Sequence, residues 1–246
     1  VTEWREKEGV KFWEKHAQTL IRAEDHFGIT QEIITAPIGI ENNYGTYTGE
    51  FRIVDAFYTL GFYGKRRNKY FLKEFEEFLI LARENNIAPN SIKGSFAGAI
   101  GIAQFMPSSY REYAIDFDGD GKADLENSVA DAIGSASNYL KRHGWKRGEP
   151  IVFPVSADND QVLSEMAGKS KPNRTYGELK QAGVKHDLGL NDDLAVGLFK
   201  LEGDEGVELW MSLKNFYVIT RYNPSNNYAL AMVQLSEKIK ALKNAD

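Results

Sequence analysis

Cysteine is absent from all 246 residues. This excludes thiol nucleophiles, disulfide bonds and thiolate metal sites, and it leaves the cellular compartment undecided. A basic surplus is also missing, since 30 Lys and Arg stand against 35 Asp and Glu, for a formal net charge of −5. General nucleic-acid binding is therefore disfavoured, because the chain has no excess of cations to neutralise phosphates.

Long apolar runs are missing as well. The run Phe78–Ala82 is far too short to span a membrane. No secretory signal pattern is present, and the sequence begins at Val1 rather than Met, which leaves room for a targeting segment removed earlier. Hydrophobic residues make up 42% of the chain, enough for one substantial core and a smaller second one. Aromatic residues, at 12%, are compatible with a sugar-stacking groove, although core packing explains aromatics more often.

A helix that ends in a glutamate is the first chemically distinctive feature. It follows a helix predicted over residues 1–27, which Gly28 is suited to end. Thr30 is suited to the N-cap, and Ile34, Ile38 and Glu41 follow the i, i+4, i+7 spacing of one helical face. The carboxylate thus lies at the end of an apolar helical face, in the last turn, where the helix dipole is negative. Burial and the dipole both favour a raised pKa for Glu41, which suits a general acid. The alternative is an ordinary surface glutamate, which a one-position shift in helical phase would give.

A glycine-rich segment is the second distinctive feature. Gly94, Gly98 and Gly101 alternate with small and apolar residues, and Ser95 and Gln104 are the polar side chains among them. The pattern matches neither the dinucleotide fingerprint nor the phosphate loop, so nucleotide binding is disfavoured. Glycine at this density lets the backbone approach a neighbour closely, and that neighbour is either another helix or a ligand. Pro107, after this segment, is suited to the first turn of the next helix.

A basic and aromatic trio opens a long predicted helix that runs from about Lys65 to Glu84. Arg66, Arg67 and Tyr70 lie within one turn at its start. A solvated helix end is the usual fate of such a trio. Two arginines at a helix start oppose the dipole, however, so an anionic partner is the alternative.

The segment from Asp116 to Asp124 has the spacing of a calcium loop. Asp116, Asp118, Asp120 and Asp124 occupy positions 1, 3, 5 and 9, and Gly121 occupies position 6. Carboxylates this close repel one another without a cation, so we expect a divalent ion, calcium by preference. The alternative is a metal-free acidic turn.

The last ligand of this loop is irregular. Asn127 stands at position 12, where a bidentate glutamate belongs, and Glu126 lies one residue too early. Asp131 comes four residues after position 12. Asp131, Glu126 and Asp124 are thus competing candidates for closing the site, which we interpret as a structural staple rather than a sensor.

From about Glu149 onward the sequence pattern changes from helical to β-rich. Ile151–Val155 predicts a strand, and residues 194–201 and 206–211 predict a hairpin around Asp204-Glu205-Gly206. Residues 216–225 are interpreted as a strand or turn that carries Tyr222 and Asn223, and a helix is predicted from Tyr228 to Lys243. We therefore expect three parts: a catalytic core at 1–149 with the loop at 116–131, a β-rich insertion at 150–213, and a return to the core at 214–246.

Several segments, in this order, resemble one family. They are Ile-Gly-Ile-Glu41, the run Gly94–Ser109, the Asp116–Asp124 loop, the segment from Asp131 to Trp145, and Thr-Arg-Tyr-Asn223. Together they are similar to the membrane-bound lytic transglycosylase B family, also called family 3 lytic transglycosylases. The resemblance covers about residues 9 to 240, and the glycine-rich run is its most specific part.

The resemblance implies an α+β, mainly helical fold with a goose-lysozyme-like core, an EF-hand-like loop and a small β domain. It implies cleavage of bacterial peptidoglycan between N-acetylmuramic acid and N-acetylglucosamine, leaving a 1,6-anhydro-muramoyl end. The family's acid/base falls on Glu41, and its calcium ligands fall on Asp116, Asp118, Asp120, the Lys122 carbonyl and, least securely, Asp131. Its substrate-groove residues fall on Arg66, Arg67, Tyr70, Ser95, Gln104, Phe105, Tyr139, Tyr222, Asn223 and Tyr228.

The same resemblance implies a monomer without an organic cofactor, located in the bacterial periplasm or cell envelope, either lipid-anchored or soluble. Peptidoglycan strands would be its substrate, and proteins of cell-wall synthesis or remodelling are candidate partners. Pro37 inside the predicted catalytic helix departs from expectation, and we expect a local kink there.

The mechanism implied needs only one carboxylate. Ordinary glycosidases use two, whereas this chain offers Glu41 alone in a distinctive setting; Glu50 and Asp55 are weaker candidates for a second. One acid suffices if the muramic acid 6-hydroxyl is the nucleophile. A lysozyme-type hydrolase is the rival within the enzyme class. A glycan-binding module without activity, or a calcium-stabilised scaffold, is the rival outside it.

Overall fold

The computed structural model describes residues 1–157, 160–185, 188–203 and 206–245. It divides into two compact units, one formed by Val1–Tyr139 with Gln234–Asp246 and the other by Leu140–Val233. The fold is mixed α and β and mainly helical, as the sequence predicted. The three-part division at 149/150 and 213/214 stays a prediction.

The first unit begins with three helices, α1 (Glu3–Lys15), α2 (Ala17–Phe27) and α3 (Gln31–Asn42). The sequence pattern suggested one helix over residues 1–27, but the backbone leaves helical geometry at His16, with φ −112° and ψ 21°. Gly28 ends α2 in the left-handed conformation, at φ 72°, as predicted. Pro37 lies within α3, whose helical assignment continues through it.

A second group of elements packs around a compact apolar cluster. Strand β1 (Phe51–Arg52) leads into α4 (Ile53–Tyr58), a π-helical turn (Thr59–Tyr63) and α5 (Asn68–Glu84). Strand β2 (Lys93–Gly94) pairs antiparallel with β1, with Phe51 opposite Gly94. The buried cluster comprises Ile53, Phe57, Phe78, Leu81, Ile92 and Ile100. Its burial fixes the start and the middle of the glycine-rich segment, because β2 begins that segment and Ile100 lies in the middle of it.

The first unit continues with α6 (Pro107–Tyr113) and with α7 (Val129–Arg142) as far as Tyr139, and its last part is the end of α11 (Asn226–Lys243). Pro107 occupies the first turn of α6, as expected. Residues near the end of α11 contact the first helices: Lys238 pairs with Glu6 at 3.0 Å, and Lys240 pairs with the mostly buried Glu32 at 2.9 Å. In the described part of the chain, no helix is long and apolar enough to cross a membrane.

The second unit is built on an antiparallel four-stranded sheet in the order β3-β6-β5-β4. Its elements are β3 (Val152–Val155), α8 (Asp160–Met166), β4 (Arg174–Thr175), α9 (Tyr176–Gln181), β5 (Ala195–Gly203), β6 (Gly206–Ser212) and α10 (Lys214–Tyr222). Strands β5 and β6 pair directly, from Gly197 opposite Ser212 to Gly203 opposite Gly206. The predicted turn residues Asp204 and Glu205 lie outside the described residues.

One secondary-structure prediction in this unit is wrong. Residues 216–225 are predicted as a strand or turn, yet residues 216–222 belong to helix α10, although Val218, Ile219 and Thr220 are β-branched. Burial explains the difference: Val218 and Ile219 are fully buried, and the Phe216 ring stacks on Phe199 at 4.9 Å. Tertiary packing therefore overrides the local β preference.

Candidate active site and acidic loop

Glu41 lies half-buried in the last turn of α3, as its spacing suggested. Ile34 and Ile38, which precede it on the same face, are at most 1% exposed. The helix then ends abruptly, because Asn43 and Tyr44 adopt left-handed conformations with φ 53° and 62°. The backbone thus sets a carboxyl group at the border between the core and the surface, which is the setting that a general acid requires.

The residue after Glu41 holds this helix end in place. The amide nitrogen of the buried Asn42 side chain donates to the carbonyl of Ile102 in the glycine-rich segment. The Asn42 side-chain oxygen accepts from the backbone N–H of Gly45. Sequence reasoning missed Asn42, because its partner lies 60 positions away in the chain.

The N-terminal helix braces the same turn from another side. The Tyr44 hydroxyl donates to the Arg5 carbonyl at 2.6 Å, and the Arg5 guanidinium donates to the Asn43 side chain at 2.8 Å. Burial raises the pKa of Tyr44 well above its usual value, so the phenol stays a donor at physiological pH. The Tyr44 ring lies against Gly39, where any Cβ would overlap it. This close contact is the physical reason for glycine two positions before Glu41.

The glycine-rich segment folds back on itself. The Ser95 backbone N–H donates to the Ala99 carbonyl at 2.9 Å, and the Ala99 N–H donates to the Ser95 hydroxyl oxygen at 3.0 Å. Ile100 and Phe105 exchange two more, at 2.8 and 3.1 Å. Gly101 has φ 71° and lies directly against the carbonyl of Leu125. Of the two alternatives, the observed contacts of Gly101 support close approach to protein backbone.

Gln104 is a bridge between two loops. It adopts a left-handed conformation, with φ 48°, and its side-chain nitrogen donates to the carbonyls of Thr48 (3.0 Å) and Gly101 (2.8 Å). Both amide hydrogens are therefore used within the protein, and the side-chain oxygen is the group that Gln104 can offer to a ligand. Ser95 is complementary: its hydroxyl oxygen already accepts from Ala99, so its proton can be donated.

Phe105 and Tyr139 form a buried aromatic wall. They are only 2% and 8% exposed, and their ring centroids lie 5.5 Å apart. Tyr113 extends the wall, with its ring 4.8 Å from Tyr139. Their roles in substrate binding stay predictions, and their burial favours shaping the site over broad stacking on a sugar.

Arg66 and Arg67 precede α5 rather than opening it, because the helix begins at Asn68. The left-handed backbone of Arg67, with φ 57°, explains the later start. Its guanidinium lies 4.3 Å from the centre of the Tyr70 ring, a cation–π contact that orders both side chains. Burial raises the pKa of Tyr70, and the Glu74 carboxylate adds to this effect.

Tyr222, Asn223 and Tyr228 belong to the second unit, where all three are half-buried. Tyr222 is the last residue of α10, and Asn223 follows it in extended geometry. The Tyr228 backbone N–H donates to the Ser225 hydroxyl at 3.3 Å. Their assignment to substrate binding stays a prediction.

Exposed aromatic side chains are functional candidates that sequence reasoning missed. Phe96, between Ser95 and Ala97, is 71% exposed, and Phe51 on the neighbouring strand is 52% exposed. Tyr58, Phe62 and Tyr63 form a second exposed group with ring centroids 5.2 and 5.7 Å from Tyr58. The sequence does contain a signal for Phe96, because a large aromatic residue stands there among small residues. The surrounding residues do not form the periodic apolar pattern that would predict its burial.

The acidic loop brings three of its predicted ligands together. One carboxylate oxygen from each of Asp116, Asp118 and Asp120 lies within 4.8 Å of the others. Asp116 also accepts from the backbone N–H groups of Gly121 (2.8 Å) and Gly119 (2.6 Å). These bonds, led by that from Gly121, lower the pKa of Asp116. Three hard oxygen donors on a compact loop fit a calcium ion.

Asp131 is placed differently. Among the described residues, it does not join the cluster of converging carboxylates. Its two oxygens accept from the backbone N–H groups of Phe117 (2.7 Å), Asp118 (3.2 Å) and Asp124 (2.8 Å). Burial nonetheless raises its pKa. This geometry favours Asp131 as the brace that holds the loop, and its role as a metal ligand stays a prediction.

The other two candidates for the last calcium ligand are Asp124 and Glu126. Asp124 caps the following turn by accepting from the N–H groups of Glu126 and Asn127, both at 2.9 Å. Glu126 is half-buried, and this burial raises its pKa. Among the described residues, neither joins the three converging carboxylates. Lys122 donates its backbone N–H to Asp120 at 2.9 Å, which fixes the loop next to its predicted carbonyl ligand.

Fold and site together define a mainly helical α+β protein that presents one glutamate beside a glycine-rich segment, with an acidic loop in the same unit. Comparison with known proteins then gives the family. The model of the transglycosylase SLT domain matches residues 1–237, and the chain belongs to this family.

Individual relatives agree with this assignment. The membrane-bound lytic murein transglycosylase B of Escherichia coli K12 is 41% identical over 231 residues, which cover 94% of this chain and 63% of that protein. The soluble lytic transglycosylase SltB1 from Pseudomonas aeruginosa superimposes with a TM-score of 0.93 at 44% identity, covering 99% of this chain and 81% of that one. The Escherichia coli lytic transglycosylase Slt35 in complex with calcium gives a TM-score of 0.87 at 39% identity, covering 99% and 76%.

Proposed function

We propose that this protein is a lytic transglycosylase that cleaves the β-1,4 bond between N-acetylmuramic acid and N-acetylglucosamine in peptidoglycan. The observation that carries the proposal is the placement of Glu41. Its carboxyl group lies half-buried at a helix end that Asn42 ties to the glycine-rich segment. Family membership and the relative's description as a murein transglycosylase supply the substrate class.

Glu41 acts first as an acid and then as a base. Its proton passes to the glycosidic oxygen as the bond from muramic acid C1 to that oxygen breaks. The resulting carboxylate then takes the proton of the muramic acid 6-hydroxyl, whose oxygen bonds to C1. Glu41 is thus returned to its protonated form, and the product carries a 1,6-anhydro ring without consuming water.

The surroundings of Glu41 support a one-carboxylate mechanism. Asp55 is an exposed partner of Arg52, at 2.6 Å, and Glu50 is an exposed acceptor for the Tyr47 hydroxyl, at 3.2 Å. Both candidates for a second carboxylate therefore have ordinary surface contacts. The substrate's own hydroxyl takes the place of the nucleophile that a retaining glycosidase would supply.

Substrate binding follows from the hydrogen-bonding capacity that remains at each group. The Ser95 hydroxyl donates to a carbonyl or hydroxyl oxygen of the sugar, and the Gln104 side-chain oxygen accepts from an N–H or O–H. Arg66, Arg67 and Tyr70 meet the anionic lactyl group and the peptide attached to it. Phe105 and Tyr139 shape the site, and Tyr222, Asn223 and Tyr228 bind the glycan.

The products of digestion test this function directly. We expect mass spectrometry of digested sacculi to show muropeptides that end in 1,6-anhydro-muramic acid. A lysozyme-type hydrolase would instead give reducing ends that are heavier by one water. The latter result contradicts the transglycosylase mechanism but not cleavage of the bond, whereas an undigested wall supports a binding module.

We also propose that calcium occupies the acidic loop and acts as a structural staple. Asp116, Asp118 and Asp120 would supply carboxylate oxygens, and Lys122 its backbone carbonyl. The ion would offset repulsion among these carboxylates and hold the loop between α6 and α7. The calcium complex of Slt35 supports this proposal.

Calcium is therefore expected to raise the melting temperature. An ion present at 100 times its dissociation constant stabilises the folded state by about 2.7 kcal/mol. For a chain of this size the shift is roughly 5–10 °C. Calorimetry of the chelator-treated protein with and without calcium measures it.

The matched variants for this test are Asp118→Asn and Asp25→Asn. The first changes a converging ligand and should lose most of the shift, whereas the second changes an exposed aspartate on α2 and should keep it. An equal shift in both variants, or none in the parent protein, argues against a calcium site in this loop.

The proposed activity places the protein in the bacterial periplasm or cell envelope, where its substrate lies. Peptidoglycan strands are the proposed binding partner, and the protein acts as a monomer, with cell-wall synthesis or remodelling proteins as further candidates. A lipid anchor on a longer precursor is compatible with the membrane-bound description of the Escherichia coli relative.

A further inference from the structure

A basic cavity lies within the second unit, and Glu41 is not among its described lining residues. Its volume is about 530 Å³, and its lining includes Lys169, Lys171, Tyr217, Thr220, Arg221 and Asn226. None of the described residues that line it is acidic. This concentration of cations is notable in a chain with a formal net charge of −5.

One wall of the cavity is a backbone segment fixed at three points. The N–H of Gly168 donates to the Leu198 carbonyl at 2.8 Å, and the N–H of Asn173 donates to the Val196 carbonyl at 3.0 Å. Between them, the carbonyl of the buried Ser170 accepts from the Ser212 hydroxyl at 2.8 Å. Lys169 and Lys171 flank Ser170, so their backbone positions are set by the sheet.

The opposite wall is one face of α10. Lys214, Tyr217 and Arg221 follow the i, i+3, i+7 spacing, which places them on the same side of the helix. The Lys214 ammonium lies 5.8 Å from the centre of the Tyr217 ring, and the Arg221 guanidinium lies 6.0 Å from it. Lys171 reaches the same ring from the other wall, at 5.9 Å.

Three cations around one aromatic ring repel one another. The negative face of the Tyr217 ring attracts each of them, but a cation–π contact at an exposed site contributes only about 0.5–1 kcal/mol. An anion in the cavity would stabilise the arrangement further through charge-assisted hydrogen bonds. The Asn226 side-chain amide is a neutral donor that suits a carboxylate, which accepts several hydrogen bonds at once. The Thr220 hydroxyl already donates to the Tyr217 carbonyl at 2.7 Å.

We propose that this cavity binds the carboxylates of the peptide stems of peptidoglycan, and so favours glycan strands that carry stems. The proposal rests on the proposed function, since that function supplies a substrate in which anionic peptides hang from the glycan. It adds a binding site that recognises the peptide rather than the sugar.

The test is a titration of the intact protein with a free stem tetrapeptide, followed by amide chemical shifts. The parent protein should show shifts centred on residues 168–171 and 217–226. The double variant K169M/K171M should bind at least tenfold more weakly, whereas the control K200M, which changes an exposed lysine of β5 outside the cavity, should bind like the parent. A tetrapeptide with amidated carboxylates should bind the parent as weakly as the free peptide binds the double variant.

Equal binding by the parent protein and K169M/K171M overturns the proposal, and so does inorganic phosphate that displaces the tetrapeptide at equal concentration. Digestion of stem-free glycan strands separates this outcome from failure of the proposed function. Anhydro ends from stem-free strands, without tetrapeptide binding, refute the stem site alone. Tetrapeptide binding at the cavity, without cleavage of any strand, supports the stem site and refutes the proposed function.

Discussion

Replacing Glu41 with glutamine is expected to lower turnover of peptidoglycan by at least about 10³-fold, because in the proposed mechanism this one group supplies both proton transfers. Glutamine has nearly the same shape but can neither give a proton to the glycosidic oxygen nor take one from the 6-hydroxyl. The half-buried position at the end of α3 accepts an amide without a change in volume. Folding and glycan binding should therefore be preserved while turnover is lost.

The measurement is release of soluble muropeptides, with sedimentation on sacculi as the binding assay. The controls are Glu50→Gln and Asp55→Asn, which change the exposed carboxylates with ordinary surface contacts. Both should digest the wall at close to the parent rate. Parent-level turnover by the Glu41 variant would assign the acid elsewhere, and a large loss in either control would point to a second carboxylate.

Replacing Gly101 with alanine is expected to destabilise the protein by roughly 3 kcal/mol. Two effects add: a left-handed backbone costs a non-glycine residue about 1–2 kcal/mol, and overpacking costs a further 1–3 kcal/mol. The added Cβ would lie 2.6 Å from the carbonyl carbon of Leu125, which is backbone and cannot rotate away. Because Ile102 receives the Asn42 hydrogen bond, displacement of Gly101 should also loosen the turn that carries Glu41.

Gly148→Ala is the matched control for this change. Gly148 has nearly the same φ, 74° against 71°, but no atom lies within 4 Å of a Cβ built there. Its substitution should cost only the backbone term, about 1–2 kcal/mol. Urea unfolding of both variants, with turnover measured in parallel, separates the cost of the left-handed backbone from the cost of the contact with Leu125. Equal destabilisation by the two substitutions would show that the Leu125 contact is unimportant.

The elements that sequence predicted best are those specified by local chemistry. Gly28 ends α2, Pro107 begins α6, and the aspartates at alternate positions bring three carboxylates together, because each depends on residues a few positions away. The helical assignment of α3 and the position of Glu41 in its last turn followed from the spacing of Ile34 and Ile38 in the same way.

The remainder depends on contacts between distant parts of the chain. Packing of Phe216 on Phe199 makes α10 helical despite its β-branched residues. The partners of Asn42 and Gln104 lie 60 and 56 positions away, so no local pattern shows that these amides join the loops. Exposure of Phe96 likewise becomes visible only once its neighbours have been placed.

The ion pairs from the end of α11 to the first helices have a consequence for the order in which the protein matures. During synthesis α3 emerges early, but Lys240, the partner of its buried Glu32, leaves the ribosome some two hundred residues later. Ile239, which is synthesised just before Lys240, packs against Gly9 next to the hydroxyl of Tyr44. A nascent chain shorter than this lacks the final support of the helix that carries the acid. Under the proposed function, Glu41 therefore gains its full structural support only after residue 240 has been synthesised.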